Sequence, residues 1–154
     1  MKIIVEKGKR LLRVLDGAKE TLRCQVSLGS APAGHKRAEG DGRTPEGGYR
    51  VCTRNPKSKF HLSLGLNYPS EGDAAAALCE GRVTKEQYEA VAAAQRAGLR
   101  PPWDTPLGGF IMIHGEHPDG RSGDWTAGCV AVRNEEIEEI WRLCPIGTEV
   151  EILP

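Results

Sequence analysis

"FIMIHGEHPDGRSGDWTAGCVAVRNEEIEEIW", residues 110–141, sets a histidine at the end of one apolar run and a cysteine at the start of the next. "GGFIMIHGE" reads as a strand whose end carries His114, and "GCVAVR" as a second strand that begins beside Cys129, with a Gly-rich loop between them. Asn134 then reads as the cap of a helix over roughly 135–143. Glu135 and Glu136 fall in its first turn, where the positive end of the helix dipole favours them, and Ile137, Ile140 and Trp141 form its apolar stripe. A strand–loop–strand–helix order with chemistry at the strand ends is therefore written into this stretch.

Outward from it the pattern is mostly β. "KIIVEKGKRLLRVLDGAKETLRCQVSLG" alternates apolar and charged residues and is broken by turns at Lys7-Gly8-Lys9 and Asp16-Gly17, so it reads as successive antiparallel strands. "GGYRVCTR" at 47–54 and "KFHLSLGLNYP" continue the meander, and "GTEVEIL" closes it. The exception lies at about 73–98, which is Ala-rich with a helical period. Thr84 followed by Gln87 is a capping-box signature for a helix over roughly 85–97, with Gly98 as its stop. This segment reads as a helical insertion in a single domain spanning 1–154, the fold class being a mostly β sandwich.

The 154 residues suffice for one core without staples, and 21 basic side chains balance 21 acidic ones, so no general affinity for nucleic acid is expected. No apolar run reaches 18 residues, so no integral membrane span is expected, and "MKIIVEKGKRLLRVLDG" lacks the apolar core of a signal peptide. The chain therefore reads as cytoplasmic or as one whose leader has been removed.

Five cysteines, at 24, 52, 79, 129 and 144, form no CxxC pair and no even disulfide set. Only Cys129 has chemically suggestive neighbours. Gly128 permits close approach to the thiol, and the N–H groups around Gly128 and Cys129 are candidate donors to an oxyanion. A thiol with a pKa near 8.5 needs a base at neutral pH, and His114 is the candidate, with Gly115 leaving the imidazole approachable. From the residues alone, a nucleophile with its base and a buried thiol beside a strand-end histidine fit equally. His114 and His117 with Asp119, Asp124 or Cys129 form a weaker zinc set, lacking the helix that would put both imidazoles on one face. Mild thiol labelling is expected to reach Cys129 first, the other four cysteines being structural or incidental. Residues 36–59 carry seven basic side chains (Lys36, Arg37, Arg43, Arg50, Arg54, Lys57, Lys59) that suit carboxylates or a solvated face. Trp125 is the aromatic residue favoured as a substrate contact, ahead of Phe60, Tyr68 and Trp103, because it sits beside the cysteine loop.

His114-Gly115, the loop and then "TAGCV" resemble the signature of the L,D-transpeptidase catalytic domain (YkuD type). "GDGRTPEGGYRV" is similar to that family's Thr-Pro-x-Gly segment, and "NPKSKFHLSLGLNYP", "DWTAGCVAVRNEEIEEIW" and "GTEVEIL" resemble its murein L,D-transpeptidase-like, YafK-type branch. The resemblance implies a β-sandwich-type catalytic domain that performs cysteine-dependent acyl transfer on peptidoglycan stem peptides, in the periplasm or at the cell wall, as a monomer without metal or cofactor. A hydrolytic member (L,D-carboxypeptidase, amidase or endopeptidase) and a non-catalytic wall-binding module are the alternatives; the intact pair of His114 and Cys129 favours an enzyme. Implied roles are Cys129 as nucleophile, His114 as base and Gly128 in the oxyanion site, with Gly115, Thr126, Trp125 and Arg133 toward substrate. Many members carry Arg two residues after the cysteine. Here that position is Ala131, and Arg133 is the nearest substitute on an alternating strand.

Overall fold

A computed structural model describes residues 1–154. The N-terminal alternation becomes three antiparallel strands, β1 (Lys2–Glu6), β2 (Leu11–Asp16) and β3 (Lys19–Gln25), joined by the two turns read from the sequence. Ile3, Val5, Leu12 and Val14 point inward while the residues between them meet solvent, the period-2 pattern of a half-buried sheet. Next in sequence come β4 (Gly47–Ser58), β5 (His61–Leu66), β6 (Met112–His114), β7 (Val130–Ala131) and β8 (Glu149–Leu153). The last of these returns to lie parallel to β1 and antiparallel to the start of β4.

β4 is the hinge of the architecture. Its residues Gly47–Arg50 pair with β8, whereas Val51 onward pairs with β5, and the register shifts between Val51 and Thr53 and again between Asn55 and Ser58. Bulges of this kind bend a strand and raise its twist, which lets one strand serve two sheets. The strand order is β3-β2-β1-β8-β4-β5-β6-β7. Isolated bridges from Ser27 to Ala131 and from Gly29 to Thr126 then bring the continuation of β3 against the far edge, so the sheets close around one apolar core.

Three helices decorate this frame. α1 (Glu71–Cys79) and α2 (Lys85–Arg96) form the insertion between β5 and β6, each opened by a complete capping box, Ser70 with Asp73 and Thr84 with Gln87. The insertion thus begins at Glu71 and contains two helices, of which the sequence pattern delineated the second. It has a small core of its own in Ala74, Ala77, Val83, Val91 and Leu107. α3 (Asn134–Leu143) buries Ile137 and Ile140 against the main core. Its N-cap is Arg133 rather than Asn134; the Asn134 side chain is drawn instead to the Glu116 N–H, 2.9 Å away, and its own N–H donates to the Glu116 carboxylate. No helix is long and apolar enough to cross a membrane.

Ile152 sits fully buried on the strand that β1 and β4 share. Ile152→Ala is expected to cost about 2–5 kcal/mol in urea unfolding, against less than about 0.5 kcal/mol for exposed Leu99→Ala. Equal, small effects at both positions would contradict the shared-core topology.

Candidate active site

His114 ends β6, where the chain leaves the sheet and its imidazole turns inward, 1% exposed. Its Nδ1 lies 2.8 Å from the Gly115 carbonyl oxygen. A carbonyl only accepts, so Nδ1 must carry the proton and Nε2 is left with a free lone pair. Burial pushes the imidazole below its ordinary pKa, outweighing the Gly115 carbonyl, which favours the charged form; Lys59 adds to the lowering. Burial thus favours the neutral ring. Phe60 stacks on it at a centroid distance of 4.3 Å, and Trp125 leans in at 5.6 Å, completing a cluster with His117.

Cys129 arrives from the next strand over. β6 and β7 run parallel with His114 opposite Ala131, so the cysteine stands two residues upstream of the histidine's partner. Its sulfur accepts from the Met112 N–H at 3.3 Å and donates to the Phe110 carbonyl at 3.4 Å. Both partners are backbone, and neither is His114. Burial raises the thiol's pKa, with the Met112 N–H and the Lys36 ammonium pulling the other way. Both shifts favour the uncharged forms, a thiol and a neutral imidazole, over a thiolate and an imidazolium.

The loop before the cysteine is built from Thr126. Its hydroxyl accepts from the Gly128 N–H at 3.1 Å and donates to the Cys129 carbonyl at 2.8 Å. The Gly128 N–H read from the sequence as an oxyanion donor is thus spent inside the turn. The Cys129 N–H makes no bond within the chain and is the donor that remains. Gly128 is required for another reason: its φ is +146°, and a Cβ there would lie 2.7 Å from the Arg43 carbonyl oxygen.

Other sequence candidates land differently. Gly115 is buried, and an added Cβ would stand 2.5 Å from Asn134 Oδ1 and 2.7 Å from the Phe60 carbonyl, so it serves packing and not access to the imidazole. β7 ends at Ala131, so the alternation that would have aimed Arg133 at the cysteine is lost; Arg133 pairs with Glu136 at the start of α3. Trp125 lies on the imidazole, but so does Phe60, which no motif singles out. Trp103 and Tyr68 are buried. The basic run of 36–59 disperses: Arg37 pairs with Glu80, Arg50 with Glu149 and Arg54 with the Trp141 ring, while Lys36, itself paired with Asp41, lines the cavity at the cysteine. The zinc set is not assembled: no three His, Cys, Asp or Glu side chains converge as ligands, Asp124 being held by Arg10 and the Leu28 N–H while His117 Nδ1 accepts from the Asp119 N–H. Among the other thiols, burial raises Cys24 to about 12 and Cys52 and Cys144 to about 11. Cys79 is exposed, so Cys129 is not the most accessible thiol that labelling was expected to find.

The YkuD family model, an L,D-transpeptidase catalytic domain, matches residues 1–152. A putative L,D-transpeptidase of Fuscovulum blasticum is 37% identical over 64 aligned residues, which cover 36% of this chain and 34% of that protein. A point mutant of the helical cell shape determining protein Pgp2 of Campylobacter jejuni superposes with a TM-score of 0.69 at 22% identity, covering 97% of this chain and 45% of that one. Bd1075 of Bdellovibrio bacteriovorus gives 0.61 at 23%, covering 99% and 47%. Mycobacterium tuberculosis L,D-transpeptidase 1 gives 0.55 at 8%, covering 99% and 60%. The chain spans about a third of the curated relative and about half of the solved ones, and the structural likenesses establish the fold. With a family model covering nearly its whole length, the chain belongs to the YkuD L,D-transpeptidase catalytic domain family.

Proposed function

We propose that this chain catalyses acyl transfer on peptidoglycan stem peptides through a thioester on Cys129, with His114 as the proton carrier, on the wall side of the membrane. The observation that carries this reading is the His114 imidazole bonded through Nδ1 to the Gly115 carbonyl, which leaves Nε2 free, on the strand next to the cysteine. As a donor stem enters, the Cys129 S–H exchanges the Phe110 carbonyl for His114 Nε2. Nε2 takes the proton while Sγ bonds to the carbonyl carbon that precedes the terminal D-residue, and the carbonyl oxygen takes the negative charge facing the Cys129 N–H. The imidazolium returns the proton to the departing amine as the C–N bond breaks, which leaves the thioester. An amine of a second stem, or water, then loses a proton to Nε2 and attacks the thioester, and the thiol is regenerated. Ala131 in place of arginine fits the YafK-type branch.

Incubation with muropeptides followed by mass spectrometry separates cross-linking, D-amino-acid exchange and trimming in one experiment. Cys129→Ala is expected to abolish all three. His114→Ala is expected to lower the rate by about 10²–10⁴-fold, and the double variant to lose no more than Cys129→Ala alone, because the base acts only through the thiol. Turnover surviving in Cys129→Ala would overturn the mechanism.

The lowered imidazole pKa fixes a pH dependence. The active form is neutral His114, so kcat/KM should hold as pH falls through 6.5, the ordinary histidine value, and decline only below it. The raised thiol predicts the companion result. Iodoacetamide at neutral pH should alkylate exposed Cys79 before Cys129, and in a Cys79→Ser background Cys129 labelling should still be accelerating above pH 8.5. An acid limb centred above 6.5, or fast Cys129 alkylation at pH 7, would contradict the neutral resting pair.

A further inference from the structure

Phe110 is the one large aromatic residue that the fold leaves in solvent, 60% exposed, and it stands next to the nucleophile. Its carbonyl holds the Cys129 S–H, and Phe110 lines the cavity of about 200 Å³ that contains Cys129, together with Lys36, Glu39 and Ile111. Its backbone is left-handed at φ +55°, a region that a bulky residue rarely adopts. The conformation is imposed from both sides. Trp103 packs so closely on Gly109 that a Cβ there would lie 2.4 Å from the tryptophan, and its ring meets Phe110 at 4.6 Å; beyond, the Ile111 carbonyl is fixed by the Leu66 N–H at 2.8 Å. A strained residue held by its surroundings at a candidate site, with its apolar ring turned outward, points to a role for the ring.

Resting on the acyl-transfer reading above, we infer that Phe110 is a specificity-determining residue, the platform on which the apolar atoms of the acyl donor lie while its carbonyl meets Cys129. The cavity is smaller than the roughly 300–1,000 Å³ that encloses a whole small ligand, so it takes one end of a donor, and the remainder must cross the exposed ring. The wall holding Trp103 comes from the end of the helical insertion, which gives that insertion a task at the site.

Two truncations separate binding from structure. Phe110→Ala removes the ring and keeps the strain, whereas Phe110→Gly removes both. Both variants are expected to raise KM for muropeptides about tenfold with kcat changed less than about twofold, and Phe110→Tyr to restore KM. The glycine variant should melt at a higher temperature than the alanine variant. If activity tracks melting temperature instead, so that Phe110→Gly outperforms Phe110→Ala, the ring is structural and the inference fails. Calorimetric binding of the same muropeptides to the non-reacting Cys129→Ala protein, with and without Phe110→Gly, tests the platform apart from the chemistry. A Kd weakened about tenfold supports it even if wild-type protein turns nothing over, which would sink the proposed reaction alone; an unchanged Kd overturns it.

Discussion

The hydrogen bond from His114 Nδ1 to the Gly115 carbonyl is the contact on which the site's chemistry depends. It fixes the tautomer, and with the tautomer it fixes which nitrogen can act as a base. A bond to the adjacent residue's own backbone needs a tight local geometry, and that geometry is enforced by neighbours. Gly115 donates to the Phe60 carbonyl at 2.9 Å and lies so close to Asn134 Oδ1 that no side chain fits. Phe60 then covers the ring and removes water, which keeps the imidazole neutral. The carbonyl and the burial act in opposite senses on the proton affinity, and burial prevails. A protonated His114 would have no lone pair to offer, so the same burial that costs solvation is what leaves Nε2 able to accept.

The loops around this pair are anchored from the opposite end of the chain. The β1–β2 turn sends Arg10 to Asp124 in a bidentate pair, with Asp124 also accepting from the Leu28 N–H at 3.1 Å. It sends Lys7 the other way, to the Gly34 and Thr44 carbonyls and the Glu46 carboxylate, 3% exposed. Hydrogen-bonded charges shielded from water are costly to disturb once one partner is removed. One turn thus braces both the segment that leads to Cys129 and the segment that carries Lys36. Closure of the sheets through Ser27 and Gly29 makes that bracing possible, since it brings the N-terminal meander to the edge where β7 ends.

Much of this was legible in the residues. The alternation of the first strands, the Thr84–Gln87 box and the stripe of Ile137 and Ile140 are local signals, and each became the element it encoded. The strand-end placement of His114 and Cys129 was readable for the same reason. What failed depended on partners distant in sequence, at Gly115 and Phe60, or on a nearby side chain claiming the group first, at Arg133 and Gly128. Arg133 was aimed by extending an alternation past Ala131, where the chain instead turns into a helix whose Glu136 claims the guanidinium. Gly115 was read for access, yet its constraint comes from residues 60 and 134. Phe60 carries no motif; only the pairing of β5 with β6 brings the end of its hairpin to the imidazole. The Gly128 N–H donates to the hydroxyl of Thr126 two residues before it, a contact that spacing alone does not reveal.

The tautomer of His114 can be observed without substrate. Nitrogen-15 NMR of the imidazole in otherwise native protein, referenced to a His114→Gln variant for assignment, reports which ring nitrogen is protonated and when the ring charges. The expected spectrum at pH 7 has a protonated Nδ1 and a bare Nε2, with the second proton added only below pH 6.5. A ring protonated at Nε2, or an imidazolium at pH 7, would contradict it, and His114 would then have no base to lend Cys129.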